Sequence, residues 1–344
     1  MHCRHWPRGR WLAVAPLLSW LLGACVPGSM GLGAAPLAIR QVQPGVFVHT
    51  GLLEDWTASN AGDVANTGFV VGSRCVAVID TGGTPAVGEA LRQSIARTTP
   101  LPVCYVINTH AHPDHMLGNA AFARGGLPPQ FVTSARFAAT LSAREPYYRG
   151  ALRRDFGLEL GQQGMVYPTI SVARTLDLDL GDRILTLQAW PTAHTDNDLS
   201  VFDQRSRTLF AGNLLFVQHL PVLDGNLHGW LCAMDALQSL AVGTVVPGHG
   251  LPSHDWPAAL DAQRAYLSGL LRDTRSAIRE GLTLQQTVDR VAPSPAFTWL
   301  LTERFQRRNV TAAYAEPEWE EEGTNAAPCA AASRPIGDAK GAST

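Results

Sequence analysis

The sequence predicts an α/β fold with a sheet in each half, and three observations carry that reading. Apolar, β-branched runs occur at 46–48, 67–71 and 75–79. A strand–helix–strand pattern follows over 75–107. Two hairpin signals then lie at 176–190 and 199–210, with helical patterns behind them.

Taken in order, Val46-Phe47-Val48, Thr67-Gly68-Phe69-Val70-Val71 and Cys75-Val76-Ala77-Val78-Ile79 read as a meander, with Gly72-Ser73 turning between the last two. Pro85 opens a helix in which Val87, Leu91 and Ile95 recur every four residues. Val103-Cys104-Tyr105-Val106-Ile107 is then a strand parallel to 75–79. Residues 133–160, rich in Arg, Ala and aromatic side chains, predict a helical insertion near the active face. Leu176–Leu180 and Ile184–Trp190 form a hairpin through Gly181-Asp182, and Leu199–Phe202 with Thr208–Phe210 forms another. Thr244-Val245-Val246 adds a short strand, and helical patterns fill 229–241 and 257–282.

Composition fixes the class of molecule. Of 344 residues, 46% are hydrophobic and 16% charged, enough apolar surface for a buried core. The formal net charge is −2 and Lys340 is the one lysine, so nothing suggests nucleic-acid binding. Arg4, Arg8 and Arg10 precede an apolar stretch from Trp11 to Ala24, and the first acid is Glu54; this is the layout of a secretory leader. The stretch is too short and too interrupted by proline for a membrane span, so the mature chain is expected to have none. Leu22-Gly23-Ala24-Cys25 resembles a bacterial lipobox that would make Cys25 a lipidated first residue; cleavage near Ala35 or Ala38 is the alternative. The chain therefore divides into a leader (1–38), a domain with C-terminal helices (39–315) and an acidic, then Ala/Gly/Pro/Ser-rich tail (316–344) expected to be flexible. Export to the periplasm places Cys75, Cys104, Cys232 and Cys329 where disulfides are allowed. Cys75 and Cys104 begin two strands, so a bridge forms if those strands are neighbours; two buried free thiols fit the sequence equally.

The densest polar signal is Thr109-His110-Ala111-His112-Pro113-Asp114-His115, directly after the run 103–107. Imidazole and carboxylate are zinc ligands, and a loop leaving a buried strand points several of them into one cavity. Pro113 stiffens the bend between the two groups. A solvated loop with incidental histidines is the bland alternative, but the whole chain has 11 His, too few for chance clustering at this density. His194 and His249 also sit just past apolar runs. Either alone would read as structural.

His110-x-His112-x-Asp114-His115, Thr192-x-His194, Phe210-Ala211-Gly212-Asn213, Pro247-Gly248-His249-Gly250 and the earlier Val78-Ile79-Asp80-Thr81-Gly82 resemble, in order, the motifs of the metallo-β-lactamase superfamily. The resemblance runs from about 39 to 255. It implies an αββα four-layer sandwich, two mixed sheets flanked by helices, with a dinuclear zinc site along one edge. His110, His112 and His194 would hold one zinc, and Asp114, His115 and His249 the other. A departure is Asn213, where many members have a bridging Asp; the bridge would then be hydroxide alone, and a di-iron redox site is disfavoured.

The implied chemistry is a hydrolase in which Asp114 orients the nucleophile or accepts its proton while two zinc ions supply hydroxide to a lactam, lactone, ester or thioester. Asp80, Asp198 and Asn213 are expected behind the ligands, and His219 against substrate or on the rim. The run 214–230, with Asp224-Gly225-Asn226 and Trp230, resembles the exported quinoprotein relay system zinc metallohydrolases, which implies a periplasmic quinoprotein dehydrogenase as partner. The rival expectation is a non-hydrolytic accessory protein that binds or delivers a quinone cofactor. A flavodi-iron oxidoreductase would need a bridging carboxylate and a flavin domain, neither of which is found.

Overall fold

The computed structural model describes residues 35–124, 127–161, 164–316 and 329. The leader, the lipobox at Cys25 and most of the tail lie outside them. Seven strands form the first sheet in sequence order: β1 (Arg40–Gln43), β2 (Val46–His49), β3 (Thr67–Val71), β4 (Val76–Ile79), β5 (Val103–Ile107), β6 (Gln130–Ser134) and β7 (Ile170–Val172). Pairing is antiparallel up to β4 and parallel from there. The change follows from the connections, since parallel neighbours need a crossover. The first crossover is α1 (Pro85–Thr98), whose first turn is capped by the Thr84 hydroxyl and starts on Pro85. The short helices α2 (Pro113–Met116) and α3 (Asn119–Phe122) follow β5, and α4 (Phe137–Phe156) joins β6 to β7.

The second sheet has the order β12-β11-β10-β9-β8, built from β8 (Thr175–Asp179), β9 (Ile184–Ala189), β10 (Leu199–Asp203), β11 (Thr208–Phe216) and β12 (Thr244–His249). All its pairs are antiparallel except β11 with β12, which are joined through α5 (Leu227–Gln238). α6 (Asp261–Arg279), α7 (Leu284–Arg290) and α8 (Thr302–Ala315) close the domain. No helix among the described residues is long and apolar enough to cross a membrane.

Side-chain alternation along the strands generates the layers. On β4, Ala77 and Ile79 meet Leu185, Leu187, Val201 and Phe210 of the second sheet, while Val76 and Val78 turn to Leu91 and Ile95 of α1. On the second sheet, Phe210 and Val246 face the first sheet, and Leu209, Ala211 and Val245 pack under Trp230 and Met234 of α5 and Leu267 of α6. Helix, sheet, sheet, helix is the expected αββα order. Strands read as continuously apolar because both faces are covered.

The expected meander, the strand–helix–strand unit and both hairpins are present. Cys75 and Cys104 lie on neighbouring strands and are bonded, with Cα atoms 5.8 Å apart. A second disulfide, Cys232 to Cys329, ties a point of the tail to α5, and Glu316 accepts from the Leu227 backbone N–H at the start of α5. Within the span expected as helical, residues 133 and 134 belong instead to β6, whose ladder with β5 and β7 overrides helical composition. α8 carries no clear sequence signal because its buried face includes Gln306 and Asn309 alongside Val310 and Ala313.

One buried ion pair fastens the two sheets at the end away from the histidines. Arg183, in the β8–β9 turn, donates to both oxygens of Asp203 at 2.9 and 2.8 Å, and to the carbonyls of Pro44 and Val71. The side chains are 3% and 0% exposed. Removing one partner strands a charge in the interior. We expect Asp203→Ala to lower unfolding free energy by about 3–5 kcal/mol in urea titrations, against under about 1 kcal/mol for removing an exposed pair such as Arg74–Asp179.

Candidate metal centre

Four strand ends of the two sheets deliver the site. β4 is followed by Asp80, whose φ of 53° lies in the left-handed region that a residue with a side chain occupies at a cost. That turn aims the carboxylate at the loop after β5: Oδ1 accepts from the Thr109 backbone N–H at 2.8 Å, and Oδ2 from the Thr109 hydroxyl at 2.7 Å and His115 Nδ1 at 2.8 Å. The loop is held from two further sides, by Asn197 accepting from the Ala111 N–H and by the Tyr148 hydroxyl donating to the Ala111 carbonyl. Pro113 then opens α2, carrying Asp114 and His115 on one turn. His194 follows β9, and His249 ends β12.

The expected ligands converge in two groups, His110 with His112 and His194, and Asp114 with His115 and His249. His112 Nδ1 lies 3.0 Å from His110 Nε2 and 3.2 Å from His194 Nε2. Asp114 Oδ2 lies 3.5 Å from His115 Nε2 and 3.4 Å from His249 Nε2. The outer nitrogen of each ring is fixed by a partner that can only accept, or is already donating elsewhere. His112 Nε2 donates to Asp224 at 2.8 Å, His115 Nδ1 to Asp80, His194 Nδ1 to the Val222 carbonyl at 2.7 Å and His249 Nδ1 to the Val64 carbonyl at 2.8 Å. The Thr109 hydroxyl is used as a donor to Asp80, so its lone pair takes His110 Nδ1–H at 3.0 Å.

These partners fix the tautomers, so each ring in its neutral form turns its other nitrogen inward as an acceptor. Facing lone pairs and a carboxylate in a buried space are unfavourable unless a cation lies among them. His115 Nε2 is the sharpest case: it is buried and has no hydrogen-bond partner among the described residues. The donor set of imidazole and carboxylate fits zinc. Burial, reinforced by the neighbouring imidazoles, holds His110 and His194 well below the ordinary histidine range, in the neutral form a metal needs.

Residues 61–249 match the sequence model of the metallo-beta-lactamase superfamily, more than half of the chain. The chain belongs to the metallo-β-lactamase superfamily. Similar solved structures include the stereoselective inverting sec-alkylsulfatase Pisa1 from Pseudomonas sp., with 17% identity and a TM-score of 0.62 over 82% of this chain and 50% of that one. The chain thus spans half the length of that alkylsulfatase. A metallo-beta-lactamase from Pontibacter korlensis matches at 22% identity and a TM-score of 0.55, covering 67% of this chain and 99% of that one. TMB-1 matches at 18% identity and 0.52, covering 68% and 97%. At such identities the likeness is one of fold.

Within this superfamily fold, Asn213 stands on β11 between the two groups: its Nδ2 is 3.2 Å from His194 Nε2, and its amide also acts on His115. A Cβ on Gly248 would come within 1.9 Å of Asn213 Oδ1, which is why the Pro-Gly-His-Gly motif carries glycine there. Asp80 acts on His115 directly. Among the described residues Asp198 makes no hydrogen bond to the clustered imidazoles; it accepts from the Thr195 N–H and hydroxyl at 2.9 and 2.7 Å and shapes the His194 loop, with burial pushing its carboxyl up to about 7. His219 lines the same cavity as the ligands, its ring 4.8 Å from that of His249, and burial lowers it to about 3.

Two groups that act at the site have no role there in the sequence, where Asp224 enters only in the resemblance over 214–230. Asn66, buried, donates to the carbonyls of Pro247 and Gly250 and thereby fixes the His249 loop. Asp224 holds the outer nitrogen of His112 and is itself gripped by Arg144 at 2.7 Å and Arg308 at 2.8 Å; against its burial, the His112 hydrogen bond first and then the two arginines keep it far below the carboxylate range. Its signal was an acid ending the apolar run 220–223, because a carboxylate leaving a buried segment must be paired. We expect Asp224→Ala to weaken metal affinity by about 10–100-fold in chelator competition, with the far-UV spectrum unchanged.

Proposed function

We propose that this chain is an exported dinuclear zinc hydrolase that adds water across a carbonyl-type bond of a lactam, lactone, ester or thioester. The observation that supports it best is the set of five outward-tethered imidazoles and one aspartate with their free donor atoms turned inward. His110, His112 and His194 would hold one ion, and Asp114, His115 and His249 the other. Two divalent cations there would supply a water acidified toward neutrality and a Lewis acid for the carbonyl oxygen.

The chain's own residues do the remainder. Four of the six, His112, Asp114, His194 and His249, open onto a cavity of about 390 Å³, the size of a small organic substrate. Asp114 is positioned to orient the attacking water and take up its proton. His219, with Nδ1 committed to the Leu220 carbonyl at 2.7 Å, offers its other nitrogen as an acceptor toward a substrate N–H or O–H. Phe216, Trp56 and Val222 exclude water from the walls.

Export rests on the arginine-led apolar start of the sequence, and a quinoprotein dehydrogenase as partner rests on the resemblance over 214–230. The complete ligand set favours a hydrolase over a quinone-binding accessory protein. Metal analysis of purified protein should find about two zinc per chain, and a panel of chromogenic lactams, lactones, esters and thioesters should yield at least one substrate. His112→Ala should reduce that turnover by more than the roughly 100-fold upper effect of losing an outer partner. Turnover that persists in His112→Ala, or protein that takes up no zinc with its histidines intact, rules the proposal out.

A further inference from the structure

The cavity above the ligands has walls of unequal charge. On one side the loop before β3 contributes Glu54 and Asp55, the latter paired with Arg304 at 2.8 Å. On the other, α4 contributes Arg144 and α8 contributes Arg308. Both of these arginines grip Asp224, which lines an adjoining groove with Ala143, Thr192 and Gly225. One carboxylate facing two guanidiniums leaves a positive charge on that wall. Unused donors remain as well: a guanidinium has five N–H groups, and among the described residues Arg308 makes one hydrogen bond, to Asp224. The two side chains are 39% and 49% exposed, open to a ligand in the cavity. Trp56, Tyr147 and Phe305 line the space between the walls, and Tyr147 stands 68% exposed.

Building on the hydrolase reading, we propose that Arg144 and Arg308 form an oxyanion-recognising clamp, and that the substrate bears a carboxylate or similar oxyanion on an apolar body. The clamp takes the anion, the aromatic walls take the body, and Glu54 repels the anion from the opposite side. The substrate is thereby held in one direction across the ligands. A planar carboxylate suits the guanidinium fork, which makes arginine the residue for this task rather than a point charge. Asp224 braces both arginines from behind, so the same carboxylate that orients His112 also sets the distance between clamp and metal ligands.

The test is calorimetric binding of naphthalene-2-carboxylate and its neutral carboxamide to the zinc-loaded full chain. Wild-type protein should prefer the carboxylate. R144Q and R308Q should each lose about tenfold of that preference, the value of one charged contact of roughly 1.4 kcal/mol, with carboxamide affinity held. R205Q removes an equal charge from an exposed pair with Asp182 in the β10–β11 turn and should change nothing. Equal weakening of both compounds in R144Q and R308Q would assign the arginines a purely structural role through Asp224 and overturn the clamp. Full retention of the preference would overturn it too. Because the readout is binding, a chain without hydrolytic activity still gives a decisive answer.

Discussion

Each imidazole of the centre has one nitrogen committed outward, and that commitment is what forces the other nitrogen inward as a lone pair. A histidine left to itself would rotate and hydrogen-bond to whatever is near. Here Asp80, Asp224, Thr109 and the carbonyls of Val64 and Val222 remove that freedom. The cost is a buried cluster of mutually facing acceptors, which the fold must hold together by other means.

Those means are distributed over the sandwich. The β4, β5, β9 and β12 ends carry Asp80, the 109–115 loop, His194 and His249, so the ligands keep their spacing only while the two sheets keep theirs. The interleaved apolar layer between sheets sets that distance, and Arg183 with Asp203 fastens the opposite end. At the site end the strain at Asp80 is maintained by its three accepted hydrogen bonds. α4 and α8, the helices that cover the cavity, bring the arginines that anchor Asp224.

How far the sequence discloses this depends on whether a function demands a residue type. A metal centre would demand imidazole and carboxylate at strand ends, so the donor cluster His110, His112, Asp114, His115, His194 and His249 can be read directly, as can the alternating or continuous apolar strands that carry it. The outer partners are less legible. A carbonyl can come from any residue, so nothing in the letters marks Val64 or Val222. Asp224 depends on Arg144 and Arg308, which are 80 or more positions away along the chain and arrive only through the packing of α4 and α8. Cys232 and Cys329 are 97 residues apart and give no local signal of their bond, whereas Cys75 and Cys104 could be paired conditionally because each begins a strand.

The central claim is that two cations complete the inward-facing donors. Anomalous diffraction from crystals of the purified protein, collected on both sides of the zinc absorption edge, tests it most directly. The account expects two edge-dependent peaks, one among His110, His112 and His194 and one among Asp114, His115 and His249. Crystals grown with zinc that show ordered rings in both groups and no such peak in either would contradict it.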